Sequence, residues 1–83
     1  MSSTKHFDPA KYRDGSTVQI SSRATLKEFS RTWKLHHQLQ PEQLSYADRT
    51  ANVRVSFMYH GGDVLYELEG IPGIWHEQCL KAG

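Results

Sequence analysis

The sequence predicts a small, mainly β-sheet domain with short helices. Three observations lead to this fold class. Apolar and polar residues alternate on both sides of Gly61-Gly62, which is typical of a β-hairpin. Residues 16–21 alternate in the same way, whereas residues 25–34 repeat apolar side chains at helical spacing.

Length and composition narrow the choice further. A chain of 83 residues forms one small domain with limited burial. Its formal charge of +1 gives no general attraction to nucleic acid or to acidic membranes. The single cysteine excludes an internal disulfide and fits a reducing compartment. Because neither a signal-peptide core nor a membrane-length apolar run is present, we expect a soluble, cytoplasmic protein.

The chain begins with a polar segment that lacks periodicity. We expect residues 1–12 to form a flexible tail and residues 13–83 to form a single folded domain. A turn ending at Gly15 leads into the first strand, where Val18 and Ile20 alternate with polar neighbours.

Residues 25–34 predict a helix of two to three turns. Its apolar face consists of Leu26, Phe29 and Trp33. Thr25 and Glu28 have the spacing of a capping box, in which each side chain binds the other residue's backbone N–H. The alternative is an ordered loop that fixes Phe29 and Trp33 against the sheet.

A second short helix is predicted after a polar connection at residues 36–40. Pro41 suits the first helical position, and Glu42 places an acid in the first turn. Three side chains on this segment are candidates for facing the core: Leu44, Tyr46 and Ala47.

The hairpin register follows from a two-residue turn at Gly61-Gly62, since glycine adopts positive φ without steric cost. This register gives one apolar face with the pairs Tyr59–Val64, Phe57–Tyr66 and Val55–Leu68. The opposite, mostly polar face has the pairs His60–Asp63, Met58–Leu65, Ser56–Glu67 and Arg54–Glu69. A shift of one residue would mix the two faces, so pattern and turn chemistry favour this register.

A second tight turn is predicted at residues 70–73, of type II, with Pro72 and Gly73 at its centre. A strand at residues 74–80 follows and contains Trp75. Its register stays open, because a simple connection opposes Leu68 with Glu77 and a bulge or a longer loop is needed.

This order of elements resembles that of small SH3-like β-barrels. The resemblance is carried by VQI at 18–20, the hairpin at 53–68 and GIPGIWHEQCL at 70–80. It implies a barrel with a helical insertion after the first strand, closed by a short helical turn and a last strand. The chain is also similar to short bacterial proteins of its length. The resemblance implies a fold rather than an activity, because many functions share this barrel.

Catalytic and metal chemistry have weak support. His76 and Cys79 have ligand spacing, but a structural zinc site needs a second such pair, so we expect no metal and no cofactor. The simpler interpretation makes Cys79 a small buried hydrophobe and His76 a surface residue. Cys79 as a nucleophile would need a lowered pKa, which the adjacent Glu77 opposes. We therefore expect a protein that is not an enzyme.

Two binding functions are open. The first expectation is a binding module for a protein partner, in which Trp33, His37 and Trp75 line a groove with Arg31 and Lys34 at its rim. Its binding would change between about pH 6 and 7, as imidazole becomes charged. The alternative interpretation of the tryptophans is that both fill the core.

The second binding function is recognition of single-stranded nucleic acid. Lys27, Arg31 and Lys34 share one helix face near Trp33, and His36 and His37 follow. An ordinary solvated helix face has the same pattern.

Overall fold

The computed structural model describes residues 10–59 and 62–83. Within these ranges the strands are β1 (Thr17–Ile20), β2 (Thr50–Met58), β3 (Val64–Leu68), β4 (Ile71–His76) and β5 (Leu80–Ala82). They form one antiparallel sheet in the order β4-β3-β2-β1-β5. Helix α1 (Arg23–Thr32) and a 3₁₀ helix (Pro41–Tyr46) lie between β1 and β2, and a second 3₁₀ helix (Glu77–Cys79) precedes β5. The predicted mainly β fold with short helices is confirmed.

The sheet is open in the described part of the chain, because β4 and β5 are its two edges and are not paired with each other. No helix in these ranges has the length and apolar character needed to span a membrane. The predicted first strand is confirmed, with Val18 and Ile20 fully buried. Tyr12 packs in the same core and donates a hydrogen bond from its hydroxyl to the carbonyl oxygen of Leu80 (3.3 Å). The tail predicted at residues 1–12 lies mostly outside the described residues.

Helix α1 confirms the predicted helix but starts earlier. Its N-cap is Ser22, whose Oγ accepts the backbone N–H of Thr25 (3.3 Å), so the predicted capping box of Thr25 and Glu28 is wrong. A serine just before the helix satisfies the same orphan N–H group that a later cap would leave buried inside the first turn. Leu26 and Phe29 are buried, while Trp33 follows the helix and donates its N–H to the carbonyl of Phe29 (2.8 Å).

The 3₁₀ helix begins at Pro41 as predicted, and Leu44, Tyr46 and Ala47 pack against the core. Its buried Gln43 ties it to the sheet edge. The Gln43 side chain accepts the N–H of Gln40 (2.8 Å) and donates to the carbonyl of Ile74 in β4 (3.1 Å). Pro72 occupies the same edge strand. An edge covered by a side chain and blunted by proline is a poor template for a further strand.

The hairpin between β2 and β3 forms, but its predicted register is wrong by one residue. Met58 opposes Val64 and Ser56 opposes Tyr66. The N–H of Tyr59 donates to the carbonyl of Asp63 (2.8 Å), so three residues connect the strands rather than two. Such loops need one residue in the left-handed region, which Gly62 supplies with φ of 91°. His60 and Gly61 lie outside the described residues.

The shift exchanges the faces of part of β2. Tyr66 and Leu68 stay in the core as predicted, but Val55 and Phe57 now share the opposite face with Leu65. A bulge between Val53 and Val55 returns Val53 to the core, where it opposes Leu68. Two further consequences follow from the same shift. Tyr59 is only half-buried, and Arg54 forms its ion pair with Glu67 instead of Glu69.

The second turn also differs from the prediction. It consists of Glu69 and Gly70, with Leu68 opposite Ile71, so Pro72 and Gly73 lie inside β4. Gly70 has φ of 76°, and this positive φ makes the earlier turn favourable. The irregularity expected between these strands is confirmed as a register shift between Tyr66 and Leu68.

Candidate functional site

Trp75 is a core residue with an exposed fraction of 0%. It lies opposite Tyr66 across β3 and β4, and both side chains belong to the hydrophobic core. The groove expected from the sequence therefore does not include Trp75. Because successive residues of a strand point to opposite faces, the next residue, His76, lies on the other side of the sheet.

A surface cluster of rings forms on that other side. The aromatic–histidine cluster consists of Trp33, His36, His37, Tyr59 and His76. The closest pair of ring centroids is His36 with Tyr59, at 4.0 Å, and Trp33 lies 4.8 Å from His76. The structure thus brings together two of the predicted site residues, Trp33 and His37, with three that the sequence did not place in the groove.

Backbone carbonyls fix the segment that carries Trp33, His36 and His37. The Trp33 indole Nε1–H donates to the carbonyl of His36 (2.7 Å). The His76 Nε2–H donates to the carbonyl of His37 (2.8 Å), linking the segment to β4. His37 itself has φ of 51°, in the left-handed region. These contacts hold the cluster in one conformation before any partner binds.

His36 is bonded through both ring nitrogens. Its Nε2 lies 2.8 Å from Oδ2 of Asp63, which follows the hairpin loop. Its Nδ1 lies 2.9 Å from Nδ1 of His37. A chain of polar contacts therefore runs from a carboxylate through one imidazole to the next, and it joins the long connection after β1 to the hairpin.

His76 was predicted to be a surface residue, and this is wrong. It is buried, lies opposite the fully buried Leu65 and packs against the rings of Phe29 and Trp33. Burial lowers the pKa of His76, with its hydrogen bond to the carbonyl of His37 acting in the opposite direction. His76 is therefore the neutral, buried base of the cluster at neutral pH.

The predicted rim residues are placed differently from each other. Arg31 forms a salt bridge with Glu28 on the exposed surface of α1, and this arginine lowers the pKa of the Glu28 carboxyl. Lys34 is exposed beside the cluster. The neighbouring Leu35 has an exposed fraction of 66%, the larger of the two exposed large hydrophobic side chains in the described ranges. Sequence reasoning missed Leu35 because its position beyond the end of α1 decides its exposure.

A cleft of about 480 Å³ adjoins the cluster, and its lining includes Lys11, Asp63, His76 and Glu77. The Tyr66 hydroxyl and the Lys11 backbone N–H both donate to the Glu77 carboxylate at this cleft. Burial and then this bond to Glu77 raise the pKa of Tyr66 to about 12. The carboxylates of Asp63 and Glu77 thus already have partners within the chain.

Comparisons with protein-family models, with curated proteins and with solved structures found no match. The site is therefore interpreted from its own geometry.

Metal and thiol chemistry find little support at this site. Within residues 10–59 and 62–83 no three histidine, cysteine or acidic side chains are grouped so as to hold a metal ion. Cys79 is a small buried core residue, as the simpler interpretation predicted, and burial raises its pKa to about 12. A protonated, enclosed thiol is a weak nucleophile.

We expect Cys79 to react with a thiol-specific reagent such as a disulfide dye only when the chain unfolds. At neutral pH the folded protein should react at least about a hundredfold more slowly than the protein in denaturant, because both accessibility and thiolate fraction are low. The measurement is the rate of dye release in buffer and in denaturant. Equal rates in the two conditions would contradict the buried position.

Proposed function

We propose that this chain is a non-enzymatic binding module that docks a protein partner on the aromatic–histidine cluster and the adjacent Leu35. The observation that carries the proposal is the position of the cluster. Aromatic and imidazole rings from the connection, the hairpin and β4 meet at the surface, and Leu35 is largely exposed beside them. Rigid aromatic side chains next to an exposed aliphatic one are the composition of protein–protein hot spots.

Preorganisation supports the same proposal. Trp33 is half-buried and hydrogen-bonded, and His37 is exposed while its carbonyl is held by His76. A partner binding here would not have to order these side chains, so less conformational entropy would be lost on association. Proteins use such fixed connections for recognition more often than they use regular strands.

The charges favour a protein partner over nucleic acid. Arg31, one of three residues in the basic stripe, is neutralised by Glu28, and the chain carries a net charge of only +1. Nucleic-acid binding depends on many unpaired cations that displace counterions. Leu35 would also gain nothing from a phosphate backbone, whereas an apolar protein surface would bury it.

The fold belongs to this proposal as well. We propose an SH3-like barrel with a helical insertion, supported by the strand order β5-β1-β2-β3-β4 and by the 3₁₀ turn before β5. The bulge in β2 supports it too, since a bulge bends a strand that is shared between two halves of a barrel. The free, buried Cys79 fits the proposed cytoplasmic location.

The test compares two matched variants that each replace an exposed hydrophobic residue by aspartate. Leu35→Asp should reduce the amount of captured partner at least about tenfold, because a charge would be desolvated in the interface. Met58→Asp is the control. Met58 has an exposed fraction of 53% but lies one residue before Tyr59, so its side chain points to the opposite face of β2.

The proteins bound to the immobilised wild-type chain and to both variants would be quantified side by side, with nuclease present. Equal loss with both variants, or none with Leu35→Asp, would contradict the proposed surface. Retention on single-stranded DNA that falls steeply with salt and depends on Lys27 and Lys34 would favour nucleic acid instead.

A further inference from the structure

We propose that the His36–His37 pair is a proton-counting latch, which keeps the connection after α1 closed on the hairpin with one added proton and releases it with two. This inference concerns the free protein and does not depend on a partner. It rests on the contact between the two Nδ1 atoms and on what each of the four ring nitrogens faces.

The hydrogen-bond partners fix the protons of the closed state. The Asp63 carboxylate is only an acceptor, so Nε2 of His36 carries the hydrogen in that 2.8 Å contact. Neutral His36 then has a bare Nδ1, which accepts the Nδ1–H of His37 across 2.9 Å. Every ring nitrogen of His36 is therefore satisfied when both histidines are neutral, and Nε2 of His37 is left as the open acceptor.

One added proton is compatible with the same geometry. It binds Nε2 of His37, or equivalently leaves His36 doubly protonated with its Nδ1–H donating to His37. In either arrangement a single hydrogen lies between the two Nδ1 atoms, and the positive charge is close to the Asp63 carboxylate. The closed contact therefore tolerates the first proton.

A second proton is not compatible with it. When both rings are imidazolium, both Nδ1 atoms carry hydrogen, and two donors then face each other where one hydrogen bond was. The contact at 2.9 Å has to open, and the two positive charges repel. Since this repulsion is relieved when the rings separate, acidification favours the released segment.

The groups around the pair act in the same direction. The Asp63 carboxylate on the hairpin side is the one negative group in hydrogen-bond contact with either ring of the pair in the described ranges, and Tyr59 contributes only its ring. From β4, His76 packs 5.8 Å from the His36 ring and resists protonation because it is buried. When His76 finally takes a proton at low pH, a third positive charge joins the pair. Lys34, on the same connection, adds another.

The connection would move together with its anchors. Trp33 donates its indole N–H to the carbonyl of His36, and its ring lies edge-on to the His36 ring. Opening the histidine pair thus changes the environment of the Trp33 indole, whereas Trp75 stays in the core. The two tryptophans give a reporter and an internal reference in one molecule.

The experiment follows both indole N–H signals by ¹H–¹⁵N NMR between about pH 7.5 and about pH 5, the range in which imidazole titrates. We expect the Trp33 signal to move to the position of a solvent-exposed indole, while the Trp75 signal stays in place. In Asp63→Asn the midpoint should rise, because the compensating carboxylate is gone. In His37→Asn it should fall by at least about one pH unit, because asparagine accepts the left-handed φ and can hydrogen-bond but cannot take a proton.

Three outcomes would overturn the latch. A Trp33 signal that is constant down to about pH 5 shows that no release occurs. A midpoint that is the same in His37→Asn and the wild type shows that the second proton is irrelevant. Movement of both indole signals together shows global unfolding rather than a local opening.

Discussion

Trp75→Ala is expected to cost about 3–5 kcal/mol of folding free energy, the range for truncating a large aromatic core residue. The side chain is fully buried opposite Tyr66, among residues from β1, α1 and β5. A domain of this size loses about 4–8 °C of melting temperature for each kcal/mol. We therefore expect a drop of more than about 10 °C, or loss of a cooperative transition, in thermal denaturation followed by circular dichroism.

Trp33→Ala is the matched control for Trp75→Ala. Its ring is half-buried and stacks on Phe29, so its loss should cost no more than about 2 kcal/mol. The contrast matters because the two tryptophans are equivalent in the sequence. If the Trp33 variant were the less stable of the two, the division between a core tryptophan and a surface tryptophan would be wrong.

Gly73→Ala is the second change with a large expected effect. Gly73 has φ of 99° inside β4, and a Cβ atom there would lie 2.8 Å from Nε2 of Gln43. The alanine therefore combines a left-handed backbone cost of about 1–2 kcal/mol with an overpacking cost of about 1–3 kcal/mol. The clash falls on the side chain that covers the sheet edge, so we also expect the bond from Gln43 to the carbonyl of Ile74 to weaken.

Gly70→Ala separates the two costs. Gly70 has φ of 76°, but a Cβ atom there meets nothing within 4 Å, so only the backbone cost applies. Denaturant unfolding should thus rank the wild type above Gly70→Ala, and Gly70→Ala above Gly73→Ala by about 1 kcal/mol or more. Equal stability of the two alanine variants would show that Gln43 yields without cost and is not a fixed part of the edge.

The register of the hairpin shows where local rules stop. Alternation from Val53 to Tyr59 fits a two-residue turn at Gly61-Gly62, yet the structure uses three loop residues and a bulge after Val53. Both faces of β2 and β3 carry apolar side chains, because the connection after α1 covers the second face as well. An apolar face on each side removes the penalty that would otherwise have fixed the register.

The site was predictable only in part. Trp33 and His37 were chosen for their chemistry and lie together, whereas Trp75 and His76 exchanged the positions expected for them. Adjacent strand residues point to opposite faces, so the strand parity that sends Trp75 into the core brings His76 under Trp33 and His36. A turn placed two residues late in the sequence analysis hid this parity. Asp63 entered the cluster for a similar reason, since its position depends on the length of the hairpin loop.

What the sequence determined by itself is local. Hydrophobic period and helix-forming residues specify the first strand, α1, the 3₁₀ helix that begins at Pro41 and the existence of the hairpin, because these depend on neighbours a few residues apart. The tertiary structure alone decided which tryptophan is buried, that Gln43 seals the β4 edge and that His36 bridges Asp63 and His37. Each of these is a contact between residues far apart in the chain or a choice of face. Its energy depends on packing that no short stretch of sequence contains.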